Sequence, residues 1–134
     1  MYSAKVLRVC LVDDDSMVRS LFTRVIERAG CSVATACGPA EAIQLLTQSS
    51  FDVLISDLRM PEIDDGEHLL NVVKQTYPSL PVFMMSGDWA QDTQSRVLSN
   101  GASGCLVKPF TTQTFKELLN RLIQKTDAAN SLPS

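Results

Sequence analysis

The apolar run Val6–Val12 (Val-Leu-Arg-Val-Cys-Leu-Val) is followed directly by Asp13-Asp14-Asp15, and this junction decides the fold. A short, β-branched run of this kind predicts a buried strand, which ends at the aspartates. The spacing of apolar residues then becomes helical, with Asp15 or Ser16 as candidate cap and Gly30 as candidate terminator. One face of this helix carries the apolar residues Val18, Leu21, Phe22, Val25, Ile26 and Ala29. The first pair of elements is therefore a strand followed by an amphipathic helix.

The same alternation of strand and helix recurs along the rest of the chain. Further strands are predicted at Ser32–Ala36, Asp52–Ser56, Pro81–Ser86 and Gly104–Val107, and further helices at about 38–48, 67–77, 90–100 and around 115–123. Five alternations of this kind predict an α/β domain, a five-stranded parallel sheet with helices on both faces. The fourth helix has a thin apolar stripe, mainly Val97 and Leu98, so we expect it to dock weakly.

Composition places the chain among ordinary globular domains. It has 134 residues, 45% of them hydrophobic and 20% charged, with a net charge of −3. This charge does not favour a nucleic-acid surface, and no apolar run approaches the roughly 20 residues that span a bilayer. The first residues lack the apolar segment of a secretion signal. We therefore expect a cytoplasmic domain over residues 1–126 that binds neither nucleic acid nor membrane directly, and a flexible tail or linker over 127–134.

The cysteines and the single histidine do not suggest a metal site. Cys10, Cys31, Cys37 and Cys105 form no C-x-x-C pair and have no zinc-like spacing to His68. We expect four reduced thiols, with Cys10 and Cys105 acting as small apolar residues inside strands, and His68 at the surface.

Polar side chains follow four of the five predicted strands. Asp13-Asp14-Asp15 follow the first, Asp57 the third, Ser86-Gly87 the fourth and Lys108-Pro109 the fifth. Any one of these residues taken alone is as readily explained as a helix cap or a turn residue. Because open α/β sheets place their sites at the carboxyl ends of the strands, the joint placement predicts a functional site.

The carboxylates in this group repel one another. Two unit charges about 5 Å apart at an effective dielectric constant near 20 cost roughly 3 kcal/mol, so something must neutralise them. Mg²⁺ is suited to this task, because it binds hard oxygen ligands and keeps water molecules that a substrate phosphate can replace. Lys108 supplies a second positive charge. The residues alone therefore predict a magnesium site at this edge of the sheet.

Four motifs in this order resemble the receiver domain of bacterial two-component response regulators. They are Leu11–Asp15, Asp57–Pro61 with Asp65-Gly66, Ser86-Gly87, and Lys108–Phe110. Each motif alone is weak, but the ordered set is highly specific, and the resemblance covers about residues 6 to 125. It implies the flavodoxin-like receiver fold with sheet order 2-1-3-4-5.

The resemblance also implies a chemical role for the site. Asp57 would accept a phosphoryl group from a phosphohistidine of a sensor histidine kinase or a phosphotransfer domain, as in a phosphorelay. The Ser86 hydroxyl and the Lys108 ammonium would hold the phosphoryl oxygens. The resemblance further implies that the domain would catalyse its own phosphorylation and its own slow dephosphorylation, as a signalling domain rather than an enzyme acting on a separate substrate.

The metal ligands and the partner surface are likewise implied by the resemblance. Asp14 and Asp57 would bind Mg²⁺ directly, together with the backbone carbonyl of Arg59, while Asp13 would act through water. The face made by helix 4, strand 5 and helix 5 would bind an output partner or a second copy of the chain. The resemblance also favours a cis Lys108–Pro109 peptide, and we further expect an Arg59–Asp88 pair over the pocket mouth.

The sequence departs from the family pattern in two places. The loop Met60–Gly66 is one residue longer than usual between its Pro and its Asp-Gly. In addition, Cys105 stands three residues before Lys108, where the family usually carries a Tyr or Phe that swings inward on activation. We therefore expect the response to travel through Ser86 and the fourth helix instead.

Three other functions share part of this pattern. A flavodoxin-like nucleotide binder would need Gly-rich amides after the first strand, where this chain has three aspartates that repel phosphate. A haloacid-dehalogenase-like phosphatase uses an Asp-x-Asp nucleophile motif, which Asp13 and Asp15 match, but its acidic pair comes late in the chain. A degenerate receiver that only binds proteins has no need of the complete polar set.

Overall fold

The computed structural model describes residues 6–60, 63–87, 89, 91–108 and 111–131. Strands and helices alternate along this part of the chain. The elements are β1 (Arg8–Val12), α1 (Ser16–Arg28), β2 (Ser32–Ala36), α2 (Pro39–Gln48), β3 (Val53–Asp57), α3 (Ile63–Thr76), β4 (Val82–Ser86), α4 (Gln91–Ser99), β5 (Gly104–Val107) and α5 (Thr112–Ser131).

The strands form one parallel sheet in the order β2-β1-β3-β4-β5, which confirms the predicted fold and sheet order. Val12 at the end of β1 pairs with Ala36 and Ser56, and Ser86 at the end of β4 pairs with Val107. Because all strands run in the same direction, their carboxyl ends lie at one edge of the sheet. This edge collects the polar residues that follow the strands.

Two apolar clusters fill the spaces on either side of the sheet. One contains Leu54 and Met84 with residues of α2, α3 and α4, and the other contains Ile55 and Met85 with residues of α1 and α5. Alternate residues of a strand face opposite sides, so the uninterrupted apolar strands supply both clusters. Phe22 of α1 and Phe115 of α5 pack together in the second cluster, with ring centroids 4.6 Å apart.

The predicted helix and strand types are confirmed, but several boundaries and faces differ. β3 includes Asp57, so the predicted site residue is the last residue of its strand rather than the first after it. In α1, Asp15 is the cap and Gly30 adopts the left-handed conformation (φ 86°), as predicted. Leu21, predicted on the buried face, is 49% exposed, because the docked stripe of α1 runs through Phe22, Val25 and Ile26.

Helix α3 begins at Ile63, well before the predicted start near residue 67. Gly66 lies inside the helix, although glycine has a low intrinsic helix propensity. Its amide donates a hydrogen bond to the carbonyl of Leu58, at 3.0 Å, so the first turn of α3 rests against the chain leaving β3. Tertiary contact therefore outweighs local propensity at this point.

Helix α4 is held by few buried side chains, as predicted. Val97 and Thr93 are buried at helical i, i+4 spacing, whereas Leu98, predicted as part of the stripe, is 43% exposed. A bidentate ion pair adds a second attachment: Arg96 donates from Nε and Nη2 to Glu67 of α3, at 2.6 and 2.9 Å. Among the described residues, a narrow buried stripe and this partly exposed ion pair thus contribute to holding α4 in place.

The C-terminal helix α5 extends to Ser131, so the tail predicted from residue 127 begins inside a helix. Between Lys125 and Ser131 the sequence contains neither Gly nor Pro, and Pro133 is the first residue that cannot continue a helix. The division into a domain over 1–126 and a tail stays a prediction. In the part of the chain described here, none of the helices combines the length and the apolar character needed to cross a bilayer.

The cysteines are free and His68 is exposed, as the sequence predicts. All four cysteines are free thiols, and burial raises the pKa of Cys10 to about 12, so this residue behaves as an apolar core side chain. His68 is exposed on α3.

The Arg96–Glu67 ion pair predicts a pH-dependent stability. The hydrogen bond from Arg96 holds the pKa of Glu67 below its ordinary value of 4.5. A carboxyl whose pKa is lowered by folding stabilises the protein above its unfolded-state pKa, and this stability disappears as pH falls through the folded-state pKa. Because Arg96 is half exposed, Glu67→Gln should lower the free energy of unfolding by only about 0.5–1 kcal/mol near neutral pH.

Urea unfolding of the Glu67→Gln variant and the wild type near neutral pH and well below pH 4.5 measures this effect. The difference between the two proteins should vanish at the lower pH. Glu117→Gln, on the exposed surface of α5, is the matched control. A Glu67→Gln deficit that stays constant across the pH range would contradict the argument.

Candidate functional site

Asp13 is firmly held at the carboxyl edge of the sheet. Its side chain is fully buried, and its two carboxylate oxygens accept hydrogen bonds from the Asp15 amide (2.9 Å) and from Lys108 Nζ (3.1 Å). Its backbone is tied on both sides, because its amide donates to Ala36 O and its carbonyl accepts from Arg19 Nη1 at 2.7 Å. Asp13 is therefore a fixed point of the site.

Lys108 connects the two ends of the site. Its Nζ lies 3.1 Å from Asp13 Oδ2 and 3.3 Å from Asp57 Oδ2, so one ammonium bridges carboxylates from β1 and β3. Its own backbone amide donates to Ser86 O at 2.8 Å, which ties the residue to the end of β4. Ser86 itself is 2% exposed. Through these contacts, Lys108 connects residues at the carboxyl ends of β1, β3, β4 and β5, as the sequence predicts.

An acidic cluster lies beside this bridge. Carboxylate oxygens of Asp13, Asp14 and Asp57 all lie within 4.8 Å of one another, and Asp14 is the solvent-exposed member. Oxygens at this spacing on one buried, one nearly buried and one exposed residue match the hard-ligand preference of Mg²⁺, with the exposed side left to water. The donor set therefore fits a magnesium ion.

The family model of the response regulator receiver domain matches residues 9–120 of this chain. The chain belongs to the response regulator receiver domain family. Among its relatives, the DNA-binding transcriptional regulator NtrC of Escherichia coli K12 is 37% identical over 115 residues, which cover 86% of this chain and 24% of NtrC. The sensor kinase CckA of Brucella abortus is 31% identical over 122 residues, 89% of this chain and 13% of CckA.

Solved structures agree with this assignment. The chemotaxis protein CheY4 of Vibrio cholerae superposes with a TM-score of 0.82 at 30% identity, covering 88% of this chain and 99% of CheY4. A response regulator receiver domain protein of Clostridium thermocellum gives the same TM-score at 26% identity, covering 92% of this chain and 99% of that one. The receiver domain thus corresponds to nearly all of these structures, but to about a quarter or less of NtrC and CckA.

The site of this receiver domain is electrostatically strained. Burial raises the pKa of Asp57 and the Asp13 carboxylate raises it further, while Lys108 and the Arg59 amide lower it in part. Burial lowers the pKa of Lys108, but the carboxylates of Asp57 and Asp13 outweigh this effect and hold it above its ordinary value. Lys108 therefore keeps its charge, and the charged form of Asp57 is the one that folding disfavours.

Asp15 and Arg59 stand at the margin of the site. Asp15 caps α1, since its Oδ1 accepts a hydrogen bond from the amide of Met17 at 2.9 Å, and it is not a member of the acidic cluster. Arg59 is exposed, and its amide faces the Asp57 carboxyl. The expected Arg59–Asp88 pair and the expected cis Lys108–Pro109 peptide involve Asp88 and Pro109, which lie outside the described residues.

Sequence reasoning missed two residues that position the site. Arg19, on α1, holds the carbonyl of Asp13, and its only signal was its place six residues after that aspartate. Gly66 was noted only as part of a motif. A Cβ atom at Gly66 would lie 2.5 Å from Leu58 O and 2.7 Å from Asp57 O, so the first turn of α3 can approach the end of β3 only without a side chain there.

The close approach of α3 predicts a functional cost of Gly66→Ala. The added methyl group must push α3 away from the backbone of Asp57 and Leu58, which should destabilise the domain by about 1–3 kcal/mol. Because the displaced carbonyl belongs to Asp57 itself, Mg²⁺ affinity should fall as well. Melting curves measured with and without millimolar Mg²⁺ report both effects.

The matched control is Gly38→Ala, since no atom lies within 4 Å of a Cβ built at Gly38. This variant should keep the full Mg²⁺-dependent rise in melting temperature. Equal Mg²⁺ responses of the two alanine variants would show that the contact at Gly66 does not shape the site.

Proposed function

We propose that this receiver domain accepts a phosphoryl group on Asp57 in a Mg²⁺-dependent reaction with a phosphohistidine donor. The observation that carries the proposal is the Lys108 bridge between Asp13 and Asp57 beside an exposed third carboxylate. A fixed ammonium and a metal-binding cluster around one carboxylate are what phosphoryl transfer requires, because its catalysis consists of positioning and charge stabilisation.

Each side chain has a definite task in this proposal. An Asp57 carboxylate oxygen attacks phosphorus, the N–P bond to the donor imidazole breaks, and the imidazole leaves with the bonding electrons. Lys108, already 3.3 Å from Asp57, turns its ammonium to a phosphoryl oxygen, and the Ser86 hydroxyl donates to another. Lys108 and Asp57 are already in contact before the reaction, so only a small movement of the ammonium is needed.

The Asp13, Asp14 and Asp57 carboxylates, with the Arg59 carbonyl, are the proposed Mg²⁺ ligands, with Asp13 acting through water. When bound, the ion supplies positive charge that offsets the acidic cluster and the phosphoryl oxygens. The buried position of Asp13, whose two oxygens already accept hydrogen bonds, supports an indirect role for it. The exposed position of Asp14 supports direct coordination.

The haloacid-dehalogenase-like alternative is less well supported by the geometry. That chemistry needs the second aspartate of its Asp-x-Asp motif free to act on the substrate. Asp15, which would take this place, caps α1 through hydrogen bonds to the amides of Met17 and Val18. A purely protein-binding receiver differs from the proposed function only in lacking phosphorylation, so one experiment separates the two.

Phosphorylation can be measured directly by intact mass after incubation with acetyl phosphate. The wild-type protein should gain one phosphoryl group when millimolar Mg²⁺ is present and none in EDTA, while Asp57→Asn should gain none under either condition. Asp52→Asn is the matched control, because Asp52 precedes the opposite end of β3 and accepts a hydrogen bond from the Arg8 amide. Equal labelling of Asp57→Asn and wild type would rule the acceptor out, and equal labelling in EDTA would rule out the metal.

The proposed donors are a sensor histidine kinase or a phosphotransfer domain, in keeping with the regulator and kinase relatives. We also propose that the face made by α4, β5 and α5 binds the output partner or a second copy of the chain. Val107 on β5 is 59% exposed and Leu98 on α4 is 43% exposed, so apolar side chains are available on this face. The cytoplasmic location stays a prediction.

Hydrogen–deuterium exchange tests the proposed path from site to face. Because α4 is held by few buried residues, phosphorylation should change amide exchange most strongly in the segment from about residue 87 to about residue 101. The measurement compares wild type with and without acetyl phosphate and Mg²⁺. A change concentrated in α2 instead would contradict this path.

A further inference from the structure

Trp89, the only tryptophan of the chain, links the loop after β4 to β5. It lies three residues beyond Ser86 and two residues before α4 begins. Its indole Nε1 donates a hydrogen bond to the carbonyl of Leu106 at 3.0 Å. The ring is half-buried and packs against the apolar cluster beneath α4. A loop side chain thus reaches across to the strand that leads to Lys108.

The acceptor of this bond lies close to two residues of the site. In the sheet, Leu106 pairs with Met85, and the next residue of β5 pairs with Ser86. The Lys108 amide, two residues on, donates to Ser86 O. The indole therefore attaches the loop to β5 one or two residues along the backbone from Ser86 and Lys108, whose side chains would hold a phosphoryl group.

The position of the ring also relates to Cys105. Cys105 is half-buried on β5 and borders the same apolar cluster as Trp89. A thiol occupies far less volume than an aromatic ring, so β5 supplies no large side chain here. Phe51 and Tyr77, the other aromatic residues beside this cluster, line a groove at the opposite edge of the sheet. Among the described residues, Trp89 is thus the aromatic side chain of this cluster that lies nearest the candidate site.

We propose that Trp89 couples the phosphorylation site to α4 through its hydrogen bond to Leu106. The inference rests on the proposed function. A phosphoryl group on Asp57 that engages the Ser86 hydroxyl draws the loop toward the acidic cluster. Trp89, three residues further along, then loses its reach to Leu106, and the start of α4 is released. The aromatic coupling element is thereby carried by the loop rather than by the strand.

The weak attachment of α4 makes this coupling effective. Beyond the indole, the helix is held mainly by the buried Thr93 and Val97 and by the partly exposed Arg96–Glu67 ion pair. When so few contacts hold a helix in place, the free energy of one hydrogen bond is a substantial part of the total free energy of docking. Loss of the Trp89 contact should therefore shift α4 more than it would shift a helix with a broad buried face.

Because the chain has a single tryptophan, its fluorescence reports this contact in the wild-type protein. On incubation with acetyl phosphate and Mg²⁺, the indole should lose its hydrogen bond to the Leu106 carbonyl and become more exposed to water. Its emission should then shift to longer wavelength, and quenching by acrylamide should rise. Intact mass of the same sample shows whether Asp57 has been phosphorylated. Phosphorylated protein with unchanged emission and quenching overturns the coupling and leaves the proposed function standing. A protein that takes up no phosphoryl group overturns both.

A second measurement uses Trp89→Phe, which keeps a ring but removes the indole N–H. Free of the bond to Leu106, the loop should reach Asp57 more readily. Phosphorylation by acetyl phosphate should then be about two- to tenfold faster, the range that corresponds to one net hydrogen bond. Amide exchange in α4 of the unphosphorylated variant should also be faster than in wild type.

The matched control is Tyr77→Phe. It removes a comparable bond, from the Tyr77 hydroxyl to the carbonyl of Leu46 at 3.2 Å, at the opposite edge of the sheet. This variant should keep the wild-type phosphorylation rate and α4 exchange. If Trp89→Phe behaves like Tyr77→Phe in both measurements, the indole bond has only a structural role and the proposal is wrong.

Discussion

The ammonium of Lys108 lies between the carboxylates of Asp13 and Asp57, and the whole site depends on this contact. Asp13 is fully buried and Asp57 is 9% exposed, so water screens their mutual repulsion poorly. Loss of one member of such a group leaves an unpaired buried charge, which typically costs about 3–5 kcal/mol. The bridge therefore holds the ends of β1 and β3 together at this edge of the sheet.

The sheet order makes this bridge geometrically possible. β1 and β3 are neighbours, so their terminal carboxylates meet directly, whereas β5 is separated from β3 by β4. Two strand spacings are about 10 Å, and only a long side chain can cover much of that distance. Lys108 meets this requirement, and its amide bond to Ser86 fixes the starting point of the side chain. The order of strands thus determines which residue type can serve at the end of each.

Stability is distributed unevenly around this edge. β1 and β3 are almost entirely buried, and Asp13 is held by four hydrogen bonds that involve its side chain and backbone. By contrast, α4, which packs against β5, is held by a narrow stripe of buried residues and a half-exposed ion pair. The firmly held carboxylates and the weakly attached helix thus lie in different parts of one small domain.

The sequence by itself determined the fold class, most of the core and the edge of the sheet at which the polar residues meet. Apolar runs of strand length ending in Asp13, Asp57, Ser86 and Lys108 were sufficient, because parallel strands bring their carboxyl ends to one edge whatever the details of packing. The order of motifs along the chain then identified the receiver family. These features depend on short stretches of sequence, and such stretches keep their strand or helix pattern in the folded molecule.

The tertiary structure decided the contacts between segments that are distant in sequence. Helical periodicity cannot distinguish which edge of a stripe docks, so the exposure of Leu21 and Leu98 was visible only after packing. Propensity argues against Gly66 within a helix, whereas its approach to Leu58 requires a glycine there. The indole of Trp89 donates to the carbonyl of Leu106, which lies 17 residues further along the chain, in β5. No local pattern specifies that partner, because it depends on where β5 lies beside β4.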